Sequence, residues 1–174
     1  LDNGKATLIG GGGNDQITSE SYGYVDLDGG TGNDYLRAYG DTGNSGRNTG
    51  RNREAIIQGG EGDDYIELTG YFDAQLDGGE GNDHIRDYWS GSSYVTGGLG
   101  DDEIISYSNN ALIEGGEGQD SINSYIYTNE FVTRFNNAFD LNDDNNFDQA
   151  FNQILKGGEG DDSLSVWSQN TNSQ

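Results

Sequence analysis

Glycine and aspartate recur in this chain at a spacing suited to holding a hard cation. Seven six-residue stretches share one grammar: Gly10 to Asp15 (GGGGND), Gly29 to Asp34 (GGTGND), Gly59 to Asp64 (GGEGDD), Gly78 to Asp83 (GGEGND), Gly97 to Asp102 (GGLGDD), Gly115 to Asp120 (GGEGQD) and Gly157 to Asp162 (GGEGDD). Glycine tolerates positive φ, so such a turn can aim its carbonyl oxygens at a common centre. Calcium takes six to eight oxygens, from carboxylates and carbonyls, at about 2.3–2.6 Å. One turn cannot supply that many. Two stacked turns can, so each ion should sit between neighbouring turns and join them.

The elements that would position these turns follow from the apolar residues around them. Two places beyond each aspartate stands Ile17, Leu36, Ile66, Ile85, Ile104, Ile122 or Leu164. Two places before each glycine pair stands Leu8, Leu27, Ile57, Leu76, Val95, Ile113 or Leu155. Nine residues separate the two apolar positions in every copy, whereas the motifs start 19, 30, 19, 19, 18 and 42 residues apart. One side of the repeat is therefore fixed in length and the other varies. Two short strands and two turns per repeat satisfy this pattern, with strands of successive coils stacked in parallel at roughly 4.8 Å. The expected fold is all-β: a right-handed parallel two-sheet β-solenoid of about seven coils of 18–19 residues. The fourteen apolar residues point inward, and Ala6, Val25, Ala55, Ala74 and Ala111 fill the thin space between the sheets. Such coils contact only their neighbours, so the ends need capping.

Residues 1–174 read as one domain and as a fragment of a larger protein. The degenerate turns, Ser19 to Tyr24, Thr69 to Asp73, Tyr88 to Ser92 and Ser106 to Asn110, lack the glycine–aspartate grammar, and both insertions fall on their edge. The first, about 41–52, is rich in Gly, Asn and Arg and reads as a flexible loop; Arg47, Arg51 and Arg53 lie in it or on its border. The second, about 128–152, carries Phe131, Phe135 and Phe139 at helical spacing. Asp148 to Ile154 would form a second short helix there. Between them, Asp140, Asn142, Asp144, Asn146 and Asp148 stand at alternating positions of an EF-hand-like loop. Asn145 and Phe151 occupy the places where that loop needs glycine and an acid, so two helices joined by a polar, aspartate-capped loop is the favoured reading.

Composition sets the energetic problem. The chain has 30% hydrophobic residues, thirty glycines and a formal net charge of −23, a balance that by itself favours disorder. Neighbouring aspartates about 5 Å apart along a row of turns would repel by roughly 3 kcal/mol at an effective dielectric near 20. A cationic ligand is the missing favourable contribution. Magnesium is a poor substitute, since it demands near-octahedral geometry and releases water reluctantly. There is no cysteine for disulfides or thiolate sites, no apolar run long enough for a membrane span, and no signal peptide at Leu1. So acidic a surface argues against nucleic acid and anionic membranes as partners.

The seven-fold glycine–aspartate nonapeptide, from about Ala6 to Trp167, resembles the repeats-in-toxin (RTX) family of secreted bacterial proteins. The resemblance implies a calcium-binding β-roll. It places on the metal the sixth-position carboxylates, Asp15, Asp34, Asp64, Asp83, Asp102, Asp120 and Asp162. It adds the carbonyls of the second and fourth glycines: Gly11 and Gly13, Gly30 and Gly32, Gly60 and Gly62, Gly79 and Gly81, Gly98 and Gly100, Gly116 and Gly118, Gly158 and Gly160. Carbonyls of positions one, three or five would complete each shell. Seven stacked turns have six gaps, so about six calcium ions are expected in single file, and they would cancel about half of the net charge. Gln119 departs from the Asn or Asp usual at position five, which mildly weakens that turn. The motif occupies one edge only, as in the solenoids of some large bacterial adhesins, ice-binding ones included. The family further implies a secreted or cell-surface location, type I secretion, folding on calcium outside the cell, and a structural or secretion-associated role in an adhesin, toxin or exoenzyme.

Other constellations stand beside this one. Tyr39, Tyr88, Tyr107, Tyr125 and Trp167 line the variable edge, with Tyr22, Tyr24, Tyr71, Phe72 and Trp89 nearby. An aromatic ladder closing that edge is the plainer reading; a carbohydrate- or peptide-binding strip is the sharper one. Ice binding would need a regular outward array, and the row Thr7, Asp26, Ile56, Gln75, Tyr94, Leu112, Ile154 is irregular. His84, the sole histidine, reads as a solvated outward side chain. A filled slab offers no pocket for a nucleophile, so the expectation is a monomeric, non-catalytic module.

Overall fold

The computed structural model describes residues 4–21, 23–40, 53–88, 90–108, 110–128 and 153–170. Their chain winds as fourteen strands. The odd ones are β1 (Lys5–Gly12), β3 (Tyr24–Thr31), β5 (Glu54–Glu61), β7 (Asp73–Glu80), β9 (Ser92–Leu99), β11 (Asn110–Glu117) and β13 (Gln153–Glu159). The even ones are β2 (Gln16–Glu20), β4 (Tyr35–Tyr39), β6 (Tyr65–Thr69), β8 (His84–Tyr88), β10 (Glu103–Ser106), β12 (Ser121–Thr128) and β14 (Ser163–Asn170). Each set forms one seven-stranded sheet in coil order, and every pairing is parallel. This is the two-sheet roll expected from the nine-residue spacing.

Register follows the apolar rows. Leu27, Ile57, Leu76, Val95, Ile113 and Leu155 pair coil to coil in one sheet. Leu36, Ile66, Ile85, Ile104 and Ile122 do so in the other. Neither the 30- nor the 42-residue interval disturbs the ladder, because a one-residue slip would turn a whole buried row outward. From the second coil to the sixth these side chains are fully buried, apart from Leu76 at 1% exposure. In the end coils Leu8 is 38% and Leu164 46% exposed, since each lacks a neighbour on one side.

The structure departs from the sequence reading in three places. The odd strands run on through the glycine pair, so the turn proper is shorter than the motif. A further inward row lies on the even strands, two places past the apolar residue: Ser19, Ala38, Leu68, Asp87, Ser106 and Ser124 are all buried. Phe72, assigned above to the aromatic strip, is instead buried in the core. Its ring lies against Gly40, where an added Cβ would meet Phe72 Cζ at 2.5 Å.

The loop at 41–52 lies outside the described residues, as do residues 129–152, which hold Phe131, Phe135, Phe139 and the EF-hand-like stretch. Of the second helix expected over Asp148 to Ile154, the last two residues are strand, since Gln153 opens β13. No helix among the described residues is long and apolar enough to cross a membrane.

Candidate metal centre

The glycine–aspartate turns stack along one edge, between odd and even strands of the same coil. In all seven, the second and fourth glycines have positive φ, from 99° at Gly11 to 141° at Gly160. Space is as decisive as φ at these positions. A Cβ on Gly32 would stand 2.5 Å from the carbonyl oxygen of Gly13 in the preceding coil, and second-position glycines such as Gly30 meet their own counterpart, Gly11 O. The carbonyls of positions two and four therefore lie against the glycines of the next coil, in the gap between the two turns.

The aspartates divide their two oxygens between two tasks. Oδ1 accepts a hydrogen bond from the backbone N–H of the aspartate one coil earlier: Asp15 N to Asp34 (2.7 Å), Asp34 N to Asp64 (2.7 Å), Asp64 N to Asp83, Asp83 N to Asp102 (both 2.8 Å), Asp102 N to Asp120 (2.9 Å) and Asp120 N to Asp162 (3.0 Å). Oδ2 is buried and without a hydrogen-bond partner in Asp15, Asp34, Asp64, Asp83, Asp102 and Asp120. Its neighbour across the gap is another acceptor. The Cβ position of Gly10 lies 2.6 Å from both Asp15 Oδ2 and the carbonyl oxygen of Gly29, the first glycine of the next coil, and the arrangement recurs at Gly29, Gly59, Gly78, Gly97 and Gly115. At Gly157 no carbonyl of a following coil is present. Buried lone pairs facing one another with no donor between them are costly. A cation is the partner that would satisfy them.

This geometry selects among the carbonyls that the sequence left open. Position three is already engaged: its oxygens in Thr31, Glu61, Glu80, Leu99, Glu117 and Glu159 accept from the fourth-position N–H of the preceding coil at 2.6–2.8 Å. The position-one carbonyl of the next coil lies beside the same point as Oδ2, so the first glycine matters as much as the second and fourth. The clue in the sequence was its invariance over all seven copies. Position five forms a separate ladder. Asn14, Asn33, Asp63, Asn82 and Asp101 each accept, through Oδ1, the N–H of the fifth residue in the next coil, at 2.8–3.2 Å.

Burial acts on the row as a desolvation cost. It pushes the Asp64 and Asp102 carboxyls up to about 6 and Asp83 to about 7, with the neighbouring aspartates adding to the rise. Asp120 is raised for the same reasons. Among the described residues no three Asp, Glu, His or Cys side chains gather as a metal cluster. Each gap brings one unsatisfied carboxylate oxygen among carbonyls, a donor set suited to a large hard cation rather than to zinc.

The family model of the RTX calcium-binding nonapeptide repeat, four copies long, matches residues 2–21, 56–70, 68–88, 90–122 and 149–170. These ranges cover more than half of the chain. The chain belongs to this family. It is a calcium-binding RTX β-roll. Comparison with curated proteins and with solved structures gave no match. The second coil lies outside the matched ranges, yet Gly30, Gly32 and Asp34 have the same φ, stacking and hydrogen bonds as the rest of the RTX row.

Opposite the row, Tyr88, Tyr107 and Tyr125 form the expected ladder, with centroids 5.1 and 4.8 Å apart and planes within 17°. Trp167 is in register with Tyr125, and Thr69 separates Tyr39 from Tyr88. Tyr22 and Trp89 lie outside the described residues. A second stack on the same sheet face was missed: Tyr35 on Tyr65 at 4.8 Å and Tyr65 on His84 at 5.4 Å. His84 is thus half-buried in this stack, with Nδ1 2.8 Å from Glu103 Oε2 and Nε2 accepting from Arg86 Nε at 3.1 Å. Its signal was position: Tyr35, Tyr65 and His84 each follow a row aspartate directly.

Proposed function

We propose that this β-roll is a non-catalytic module of a secreted bacterial protein that folds when calcium reaches it outside the cell. It would serve as a structural, secretion-associated element of an adhesin, toxin or exoenzyme. One observation carries the reading: six buried aspartate oxygens without partners, one for each gap between seven stacked turns. Calcium, when bound, would supply the positive charge that offsets these carboxylates. The chain's own residues do the rest. Asp15, Asp34, Asp64, Asp83, Asp102 and Asp120 offer Oδ2, position-one glycines offer the facing carbonyl, and the positive-φ glycines open the gap.

The acidity of the chain supports the switch, because in chelator the buried row repels itself and the thin core cannot compensate. Circular dichroism should show little β-structure in chelator and a cooperative gain on adding calcium. Calorimetry should count about six ions; an unchanged spectrum would refute the folding switch, and a count far from six the single-file arrangement. The carbohydrate reading has less support, since the rings of the ladder cover one another's faces and present edges and hydroxyls. Its remaining foothold is Trp167, 56% exposed. A saccharide panel that leaves tryptophan fluorescence unmoved would remove it.

A further inference from the structure

The edge opposite the calcium row holds a carboxylate that the calcium reading does not use. Asp87 is fully buried, in register between Leu68 and Ser106 of the adjacent coils. Ser90 Oγ donates to its Oδ1 and Ser106 Oγ to its Oδ2 at 3.3 Å. Ser93, 7% exposed, faces the same carboxylate, and its buried Oγ meets no partner at hydrogen-bonding geometry. Two coils thus converge four oxygen-bearing side chains on one point of the core, where the second and third coils place Ala38 and Leu68.

We propose that Asp87, Ser90, Ser93 and Ser106 form a site for one monovalent hard cation, sodium. Asp87 is held by neutral donors, the Ser90 and Ser106 hydroxyls among them, which orient a carboxylate without cancelling its charge, and an uncancelled buried charge is strongly unfavourable. A single positive charge restores neutrality. A divalent ion would leave an excess of +1 in the dry interior, and one carboxylate is too little ligand charge to hold it. All-oxygen ligands select a hard ion. The unpartnered Ser93 hydroxyl supplies a free lone pair, the Ser90 rotor can turn its own to the ion, and Ser106 Oγ, which also accepts from Ser108 N–H at 3.1 Å, keeps one more.

A surface hollow adjoins the site. A surface hollow of ≈ 400 Å³ is lined by Glu54, Asp73, Gln75, Tyr94 and Ser93 itself. Ser93 belongs to both, with its Oγ turned away from solvent, and Glu54 and Asp73 beside the hollow raise the local cation concentration. Occupied, the site ties the turn after β8 to β9 and β10, on the edge that the calcium row leaves unbridged. The inference is independent of how calcium fills the row.

The test uses the full chain saturated with calcium, so that the row is silent. Thermal unfolding midpoints are compared in sodium chloride and choline chloride at equal ionic strength, with ²³Na line broadening as the direct readout. The wild type should be stabilised by sodium in a saturable way and should broaden the sodium line. Asp87→Asn should abolish both effects, and Ser93→Ala should raise the half-saturating sodium concentration severalfold. Should Asp87→Asn fail to fold, Ser93→Ala and the wild-type titration still decide. Absence of a sodium preference, a preference unchanged in both variants, or stabilisation by acid without sodium dependence would overturn the proposal; the last would show that Asp87 carries a proton instead.

Discussion

The backbone N–H of Asp64 donates to Oδ1 of Asp83 in the next coil at 2.8 Å, and this bond leaves Asp83 Oδ2 buried with no partner. One side chain therefore fastens two coils directly and faces the neighbouring gap with its other oxygen. The two tasks can be separated by mutation. Asp83→Asn keeps an acceptor for Asp64 N–H but removes the charge, so calorimetry should count one ion fewer while the roll still forms at saturating calcium. Asp83→Ala also strands the buried N–H, which costs about 1–3 kcal/mol more. Equal calcium-loaded stability of the two variants would show that the ladder bond contributes nothing.

Protons should compete with calcium. Burial holds Asp64, Asp102 and Asp83 at about 6 to 7 in the metal-free fold. A raised folded value means that the metal-free roll is helped by protonation below the ordinary carboxylate range and loses that help as pH rises through 6 to 7. Calcium needs the deprotonated form. Affinity should therefore climb between about pH 5 and pH 8, and binding should release protons. Calorimetric titrations in two buffers of different ionisation enthalpy would detect the release as a difference in apparent heat.

Gln119 marks a repairable break. Five position-five side chains bond the next coil through Oδ1. In the sixth turn the residue is one methylene longer. Gln119→Asn should let the ladder reach Asp161 N–H and stabilise the calcium-loaded roll by about 0.5–1.5 kcal/mol, the net value of one hydrogen bond. Chemical denaturation at saturating calcium would measure it, and a loss of stability would mean that the longer amide already has a role of its own.

The calcium edge was legible because it repeats. Seven copies fix the nine-residue metric, and the metric fixes register, inward rows and the aspartate file without reference to anything distant. The order of the carbonyls was not legible: that position three is already engaged depends on a hydrogen bond between coils, seen only once the turns are stacked. On the variable edge no motif recurs in every coil. Asp87 stands where other coils have Ala38 or Ser106, and a lone acid on a strand reads as outward. Phe72 reads as one more edge aromatic, although Gly40 makes room for its ring. His84 was assigned to solvent because the period-two pattern shows which face a residue is on but not that Tyr65 stacks on it from the adjacent coil.

Phe72 allows the two edges to be tested separately. It is the largest fully buried side chain among the described residues, and it closes the variable edge between the third and fourth coils, far from any glycine–aspartate turn. Phe72→Ala should cost about 3–5 kcal/mol through lost burial and the cavity left behind. Gly40 and Gly70 offer no side chain to collapse into the space. Because the row carries its own bridging bonds, the number of calcium ions at saturation should not change. The calcium concentration needed to fold the chain should rise, since binding must now offset a weaker core. Calcium-dependent circular dichroism of the variant would read both quantities together. A reduced ion count would show that the two edges fold as one unit.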